Sequence, residues 1–125
     1  MKTIAISIFG NRISNRIDCC ETVLLVSIEK GVIKKREKVH LVQTNPSMKL
    51  DMLIELGVDV LICNGITRFC SNKLSDSNIE VIPWISGEVE EVLTQYREGR
   101  LTNFEAPEKL RSRIWQEITE NTSQK

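Results

Sequence analysis

Apolar residues recur along this chain in two periods, and the change of period divides it. Residues 3–9, TIAISIF, are rich in isoleucine and partly alternating, which predicts a strand. Gly10-Asn11 stops it, and residues 10–20, GNRISNRIDCC, read as a polar loop with a few apolar anchors. Residues 22–28, TVLLVSI, are apolar nearly throughout, as a central strand would be. Glu29-Lys30-Gly31 is a tight turn, with glycine available for a positive φ. Residues 32–42, VIKKREKVHLV, make a third strand whose charges suit an edge. The three together predict an antiparallel meander.

From Asn45-Pro46-Ser47 onward the period becomes helical, with proline early in the helix. Met48, Met52, Leu53 and Leu56 are expected on one helix face, and Gly57 ends it. Residues 58–63 are unbroken and apolar, like a buried parallel strand. A helix over about 67–76 is expected to pack Ile66, Phe69, Cys70 and Leu74. Residues 79–82 predict a fifth strand, 83–87 a turn, and 88–98 a helix with Val89, Val92, Leu93 and Tyr96 inward. Residues 100–106 read as a linker. Pro107 opens an appended amphipathic helix with Leu110, Ile114, Trp115 and Ile118 on one face. The predicted organisation is a domain over 1–101, then a linker and C-terminal helix over 102–125.

Right-handed crossovers place the fourth strand beside the first and parallel to it. The expected fold is α/β, a mixed five-stranded sheet of order 3-2-1-4-5 with strand two antiparallel and helices on both faces. Strands one, four and five then end on one side, together with the 10–20 loop. Gly10-Asn11-Arg12, Cys19-Cys20, Cys63-Asn64-Gly65 and Trp84 to Gly87 should neighbour one another there. Strands one and four leave that edge in different directions, a switch point where open α/β sheets bind ligands.

Composition narrows the function. The 125 residues carry equal numbers of basic and acidic side chains, with 41% apolar residues. Neither half is basic enough for a nucleic-acid surface, and Lys34-Lys35-Arg36-Glu37-Lys38 reads as a solvated edge. No apolar run approaches the ~20 residues of a membrane span, and the N-terminal apolar run is too short for a signal peptide. A cytosolic protein is expected. Its four cysteines, Cys19, Cys20, Cys63 and Cys70, are then thiols, and none stands in a C-x-x-C pair.

The stretches GNRIS, LGVDVLICNGI, IEVIPWISGEVEEVLTQYREGRL and the EKG turn resemble the dinitrogenase iron–molybdenum cofactor biosynthesis family. This is the family of the NifX and NafY carriers and of the NifB C-terminal domain, and the resemblance spans about residues 2–101. It implies an RNase H-like three-layer α/β/α fold. It also implies non-catalytic binding of an iron–sulfur or molybdenum–iron–sulfur cluster, with a metallocluster donor or acceptor protein as partner; a homodimer is also open. The chain departs from the family pattern after strand three, where QTNPSMKL lacks the histidine many members carry. The sole histidine, His40, lies earlier, inside the predicted strand. That shifts a cluster site from imidazole toward thiolates.

Thiolates are soft ligands for iron–sulfur and molybdenum–sulfur species, so Cys19, Cys20 and Cys63 are the candidate metal ligands. Each has a plainer reading: Cys63 as a small core hydrophobe, the Cys19-Cys20 pair as loop residues, and Cys70 as part of a helix stripe. Arg12, Arg16 and Arg68 would suit an anionic cluster, as would the amides of Asn64-Gly65-Ile66 before a helix. Asn11 and Asn64 either donate to cluster sulfides or hold turns. Trp84 either walls a pocket or packs under a helix. A metal-free regulatory or interaction module, working through the Trp115 helix, is the alternative. A hydrolase is disfavoured on chemistry: TIAISIF carries no carboxylate for a two-metal site, leaving only Asp18 and Glu21 in the loop, and one histidine on an edge strand builds no triad.

Overall fold

The computed structural model describes residues 1–17, 20–41 and 45–101. The linker and C-terminal helix expected beyond residue 101 lie outside them, as do Asp18 and Cys19.

The described chain runs β1 (Lys2–Phe9), β2 (Arg12–Ile13), β3 (Thr22–Glu29), β4 (Val32–His40), α1 (Pro46–Glu55), β5 (Val60–Ile62), α2 (Arg68–Asp76), β6 (Glu80–Ile82) and α3 (Val89–Arg97). The sheet order is β4-β3-β1-β5-β6, with β2 paired to the end of β1. β3 is antiparallel to β1 and β4, while β1, β5 and β6 are mutually parallel. The sheet therefore has six strands where five were expected. Gly10, at φ 62°, reverses the chain after Phe9 and pairs Ile8 with Ile13 and Phe9 with Arg12. A positive φ of this kind is what glycine supplies.

Strand alternation sorts the core into two layers. Ala5, Val23, Leu61 and Cys63 face one way and pack with Leu50 and Leu53 of α1 and Cys70 and Leu74 of α2. Ile4, Ile6, Leu24, Val26, Val60 and Ile62 face the other way and pack with Val89, Val92 and Leu93 of α3. Helix starts follow local chemistry. Asn45 Oδ1 accepts from Ser47 N at 2.8 Å, and Thr67 Oγ1 accepts from Cys70 N at 3.2 Å. Glu90 and Glu91 sit in the first turn of α3, against the positive end of its dipole.

Two helix stripes differ from expectation. Met48 and Leu56 are exposed, and the buried residues of α1 are Lys49, Leu50 and Leu53. Phe69 is also exposed, at 62%, while Cys70 and Leu74 alone of that helix are buried. In α1 the buried stripe is thus shifted toward Lys49 and Leu50, with Leu53 kept, while in α2 Cys70 and Leu74 are inward as expected and Phe69 alone of the expected helix residues turns out.

The candidate site at the sheet end

At the ends of β1, β5 and β6 the chain folds back on itself. Residues 11–17 cross this end and are fastened on both sides. Ile13 N donates to Gly87 O at 3.0 Å and Val89 N to Asn11 O at 2.9 Å. Gly65 N donates to Asn15 O at 2.8 Å, and Ile17 N donates to Gly65 O at 3.0 Å. Ser14 N completes the seam by donating to Ser7 O at 2.9 Å. Trp84 N and Ile85 N donate to Asn64 O and Cys63 O, so the β6–α3 connection joins the same cluster. Segments 10–17, 63–65 and 84–89 thus meet at one edge.

Gly65 is needed there for space. A Cβ at this position would lie 2.9 Å from Asn15 O and 3.1 Å from Arg16 Cγ. Its N–H is already given to Asn15, and α2 begins only at Arg68. Of the Asn64-Gly65-Ile66 amides, the Gly65 N–H is thus already used within the chain. Trp84, half-buried, holds φ 65° in the left-handed region, a conformation that costs of order 1–3 kcal/mol outside glycine.

The predicted site residues divide into an outer and an inner set. Asn11, Arg12 and Arg68 are exposed and Asn64 is half-buried, and the backbones of Arg12 and Glu88 pair in an isolated antiparallel β-bridge. Cys20 and Cys63 lie beneath the seam, 1% and 0% exposed, in the core layer that also holds Cys70 and Ile17. All three described cysteines are free thiols. Burial pushes the Cys63 thiol far up, and the neighbouring Cys20 and Cys70 push the same way. Burial also raises Cys20, against the pull of hydrogen bonds to the Thr22 and Ile8 carbonyls and of the Lys49 charge. Its Sγ donates to Thr22 O at 2.8 Å. Both shifts favour the thiol over the thiolate. Among the described residues no three His, Cys, Asp or Glu side chains are grouped to hold a metal ion.

Two polar residues that sequence reading passed over complete the inner set. Lys49 is buried, and its Nζ donates to Cys20 O at 2.8 Å, tying α1 to the loop. Ser7 Oγ is buried with no hydrogen-bond partner among the described residues. Lys49 had a signal: with Met52, Leu53 and Leu56 it falls at i, i+3, i+4 and i+7. Ser7 had none beyond a polar residue inside an isoleucine strand.

Two clefts open at this end. One, about 550 Å³, has a floor of Ile8, Leu24 and Val89 and a rim carrying Arg36 and Lys38 against Glu37, Glu88 and Glu90. Its rim thus mixes both charges. The other, about 420 Å³, is lined by Phe9, Ser14, Cys20, Glu21 and Lys38 among others. This cleft reaches Cys20, whereas the first reaches Asn11.

The class this defines is a mixed α/β domain whose switch-point end is closed over buried thiols. Residues 1–99 match the model of the family described as dinitrogenase iron-molybdenum cofactor, and the chain belongs to that family. An uncharacterized protein of Methanocaldococcus jannaschii is 26% identical over 107 residues, covering 82% of this chain and 91% of its own. Two solved structures share the fold. A candidate dinitrogenase of the same organism has TM-score 0.68 at 24% identity, covering 84% of this chain and 96% of its own. A candidate NifB protein of Thermotoga has TM-score 0.67 at 23% identity, covering 86% and 99%.

Proposed function

We propose that this protein acts in iron–molybdenum cofactor biosynthesis as a non-catalytic carrier. It binds an iron–sulfur or molybdenum-containing cluster, or its precursor, and passes it to or from a metallocluster protein. The observation that carries the reading is the layering at the sheet end. Asn11, Arg12, Asn64 and Arg68 sit outside, and the Cys20 and Cys63 thiols lie directly beneath the 11–17 seam. Family membership supplies the cargo class. Guanidinium groups hold the anionic cargo on the outside, while Cys19, Cys20 and Cys63 ligate it once the loop lifts and the thiols lose their protons. The fold is assigned as RNase H-like, the binding domain as 1–101, and the compartment as cytoplasmic. No described helix is long and apolar enough to cross a membrane.

The burial of Cys20 and Cys63 favours a second reading, a metal-free interaction module on the same fold. Anaerobic reconstitution with iron, sulfide and thiomolybdate, followed by desalting and visible absorbance, separates the two. Wild type is compared with Cys19→Ser/Cys20→Ser/Cys63→Ser and with Arg12→Ala/Arg68→Ala. A carrier retains charge-transfer bands that the triple variant loses and the arginine variant weakens. No retained metal in any of the three refutes the carrier and leaves the interaction module.

A further inference from the structure

We propose that the outer edge of β4 is a docking edge, where an acidic, extended segment of a partner protein adds a further strand to the sheet. Among the described residues β4 pairs with β3 alone. Which of its backbone groups face outward follows from one hydrogen bond. Leu41 N donates to Glu21 O at 2.7 Å, and the β3–β4 register continues from there through Thr22 with His40 and Leu24 with Lys38. In an antiparallel ladder, pairs that exchange hydrogen bonds alternate with pairs that do not. Leu41 belongs to a bonded pair, so His40, Lys38 and Arg36 belong to unbonded ones. Their N–H and C=O groups point away from β3, and all three residues are exposed.

The same residues set the chemistry of the occupant. Opposite Leu24 and Val26, Lys38 and Arg36 project on the α3 side of the sheet, two residues apart. A strand laid along this edge would bring its own alternate side chains beside them. Acidic residues spaced by two meet both cations. Arg36 is already held by Glu90 through two hydrogen bonds of 2.7 and 2.9 Å, so an acidic strand meets Lys38 first and shares Arg36 with Glu90. A second copy of β4 fits poorly, because antiparallel self-pairing sets Arg36 and Lys38 against each other, and like charges across strands destabilise. Charges that guard an edge against self-association thereby select an acidic partner strand.

The test uses the full chain, isotope-labelled, at low ionic strength. The probe is a capped peptide alternating glutamate with valine, and the control replaces glutamate by lysine. The expected result is that the acidic peptide shifts the Arg36, Lys38 and His40 amides and slows their hydrogen exchange by about tenfold or more. Added salt reverses the effect, and the lysine peptide does not produce it. Arg36→Glu/Lys38→Glu, at two exposed positions, should lose the acidic peptide and gain the lysine one. The proposal is overturned if those amides are already protected in the protein alone, meaning that its own chain or a second copy fills the edge. It is equally overturned if millimolar acidic peptide leaves them unmoved, or if both peptides act alike.

Discussion

Replacing Gly65 with alanine tests whether the 11–17 segment is the seal over the thiols. Gly65 is not among the positive-φ glycines, so the new methyl costs nothing in backbone strain. Its cost is contact: 2.9 Å to the Asn15 carbonyl oxygen, backbone against backbone, with no flexible side chain to yield. Overpacking of this kind costs about 1–3 kcal/mol. If the loop shifts instead, it strains the Gly65–Asn15 and Ile17–Gly65 hydrogen bonds at 2.8 and 3.0 Å. Each such bond contributes a net ~0.5–1.5 kcal/mol. Either way the closed seam loses about 2 kcal/mol relative to the open one, which raises the open population roughly thirtyfold. The assay is the rate at which a chromophoric disulfide reagent labels Cys20 and Cys63 in native buffer, read beside the urea midpoint. Where opening and closing are fast, labelling follows the open population. We expect labelling to rise by more than tenfold in Gly65→Ala. A rate within about twofold of wild type at both thiols, with an unmoved midpoint, refutes the assignment of this segment as the seal. So does labelling that tracks global unfolding alone, because the seam would then not open by itself.

Three further outcomes follow from the same layering. Lys49→Met removes the ammonium that satisfies the Cys20 carbonyl, and should cost about 1–3 kcal/mol in urea unfolding while speeding Cys20 labelling. The Arg36–Glu90 pair holds the Glu90 carboxyl below its ordinary range, through the Arg36 hydrogen bond first. Its stabilisation is present above the usual glutamate pKa of about 4.3 and is lost as pH falls through the lower folded value. Because both side chains are substantially exposed, a double-mutant cycle at pH 7 should give only about 0.2–1 kcal/mol, shrinking with salt. For Cys63 the sign is opposite, since its folded pKa is raised. The chain keeps that stability below the unfolded thiol pKa of about 8.5 and loses it as pH rises beyond. Stability of wild type relative to Cys63→Ala should therefore fall between neutral and alkaline pH, and a flat difference would contradict the burial.

The sheet was legible because its signals are local and agree with one another. Three apolar runs joined by Glu29-Lys30-Gly31 make a meander, and a glycine-bounded apolar run after a helix makes a parallel strand. The β2 hairpin was not legible. Two residues of pairing leave no period to read, and Gly10-Asn11 looks the same whether the chain wanders or reverses. Helix faces slipped for a different reason. Met48 and Phe69 are apolar residues in the first turns of α1 and α2, where the Asn45 and Thr67 caps set the phase. Leu50 and Cys70 point inward, Cys70 as expected, while Met48 and Phe69 stay out.

The candidate site was half legible, and strand parity marks the boundary. Topology alone brings the Arg12, Cys63–Gly65 and Trp84 segments to one end, and backbone hydrogen bonds join them there. Yet proximity of segments does not decide which way a side chain points. Leu61 faces α1 and α2, and in a strand every second residue shares a face. Cys63 must then follow Leu61 into that layer, whatever lies at the strand's end. A thiol at 64 would have had the opposite parity. Any ligand that uses Cys63 must accordingly enter from the α1–α2 side, past Ile17 and the Cys20 loop that Lys49 holds down. On the carrier reading, loading through Cys63 would require that loop to open. Labelling of the fully buried Cys63 therefore reports that opening without requiring any cargo.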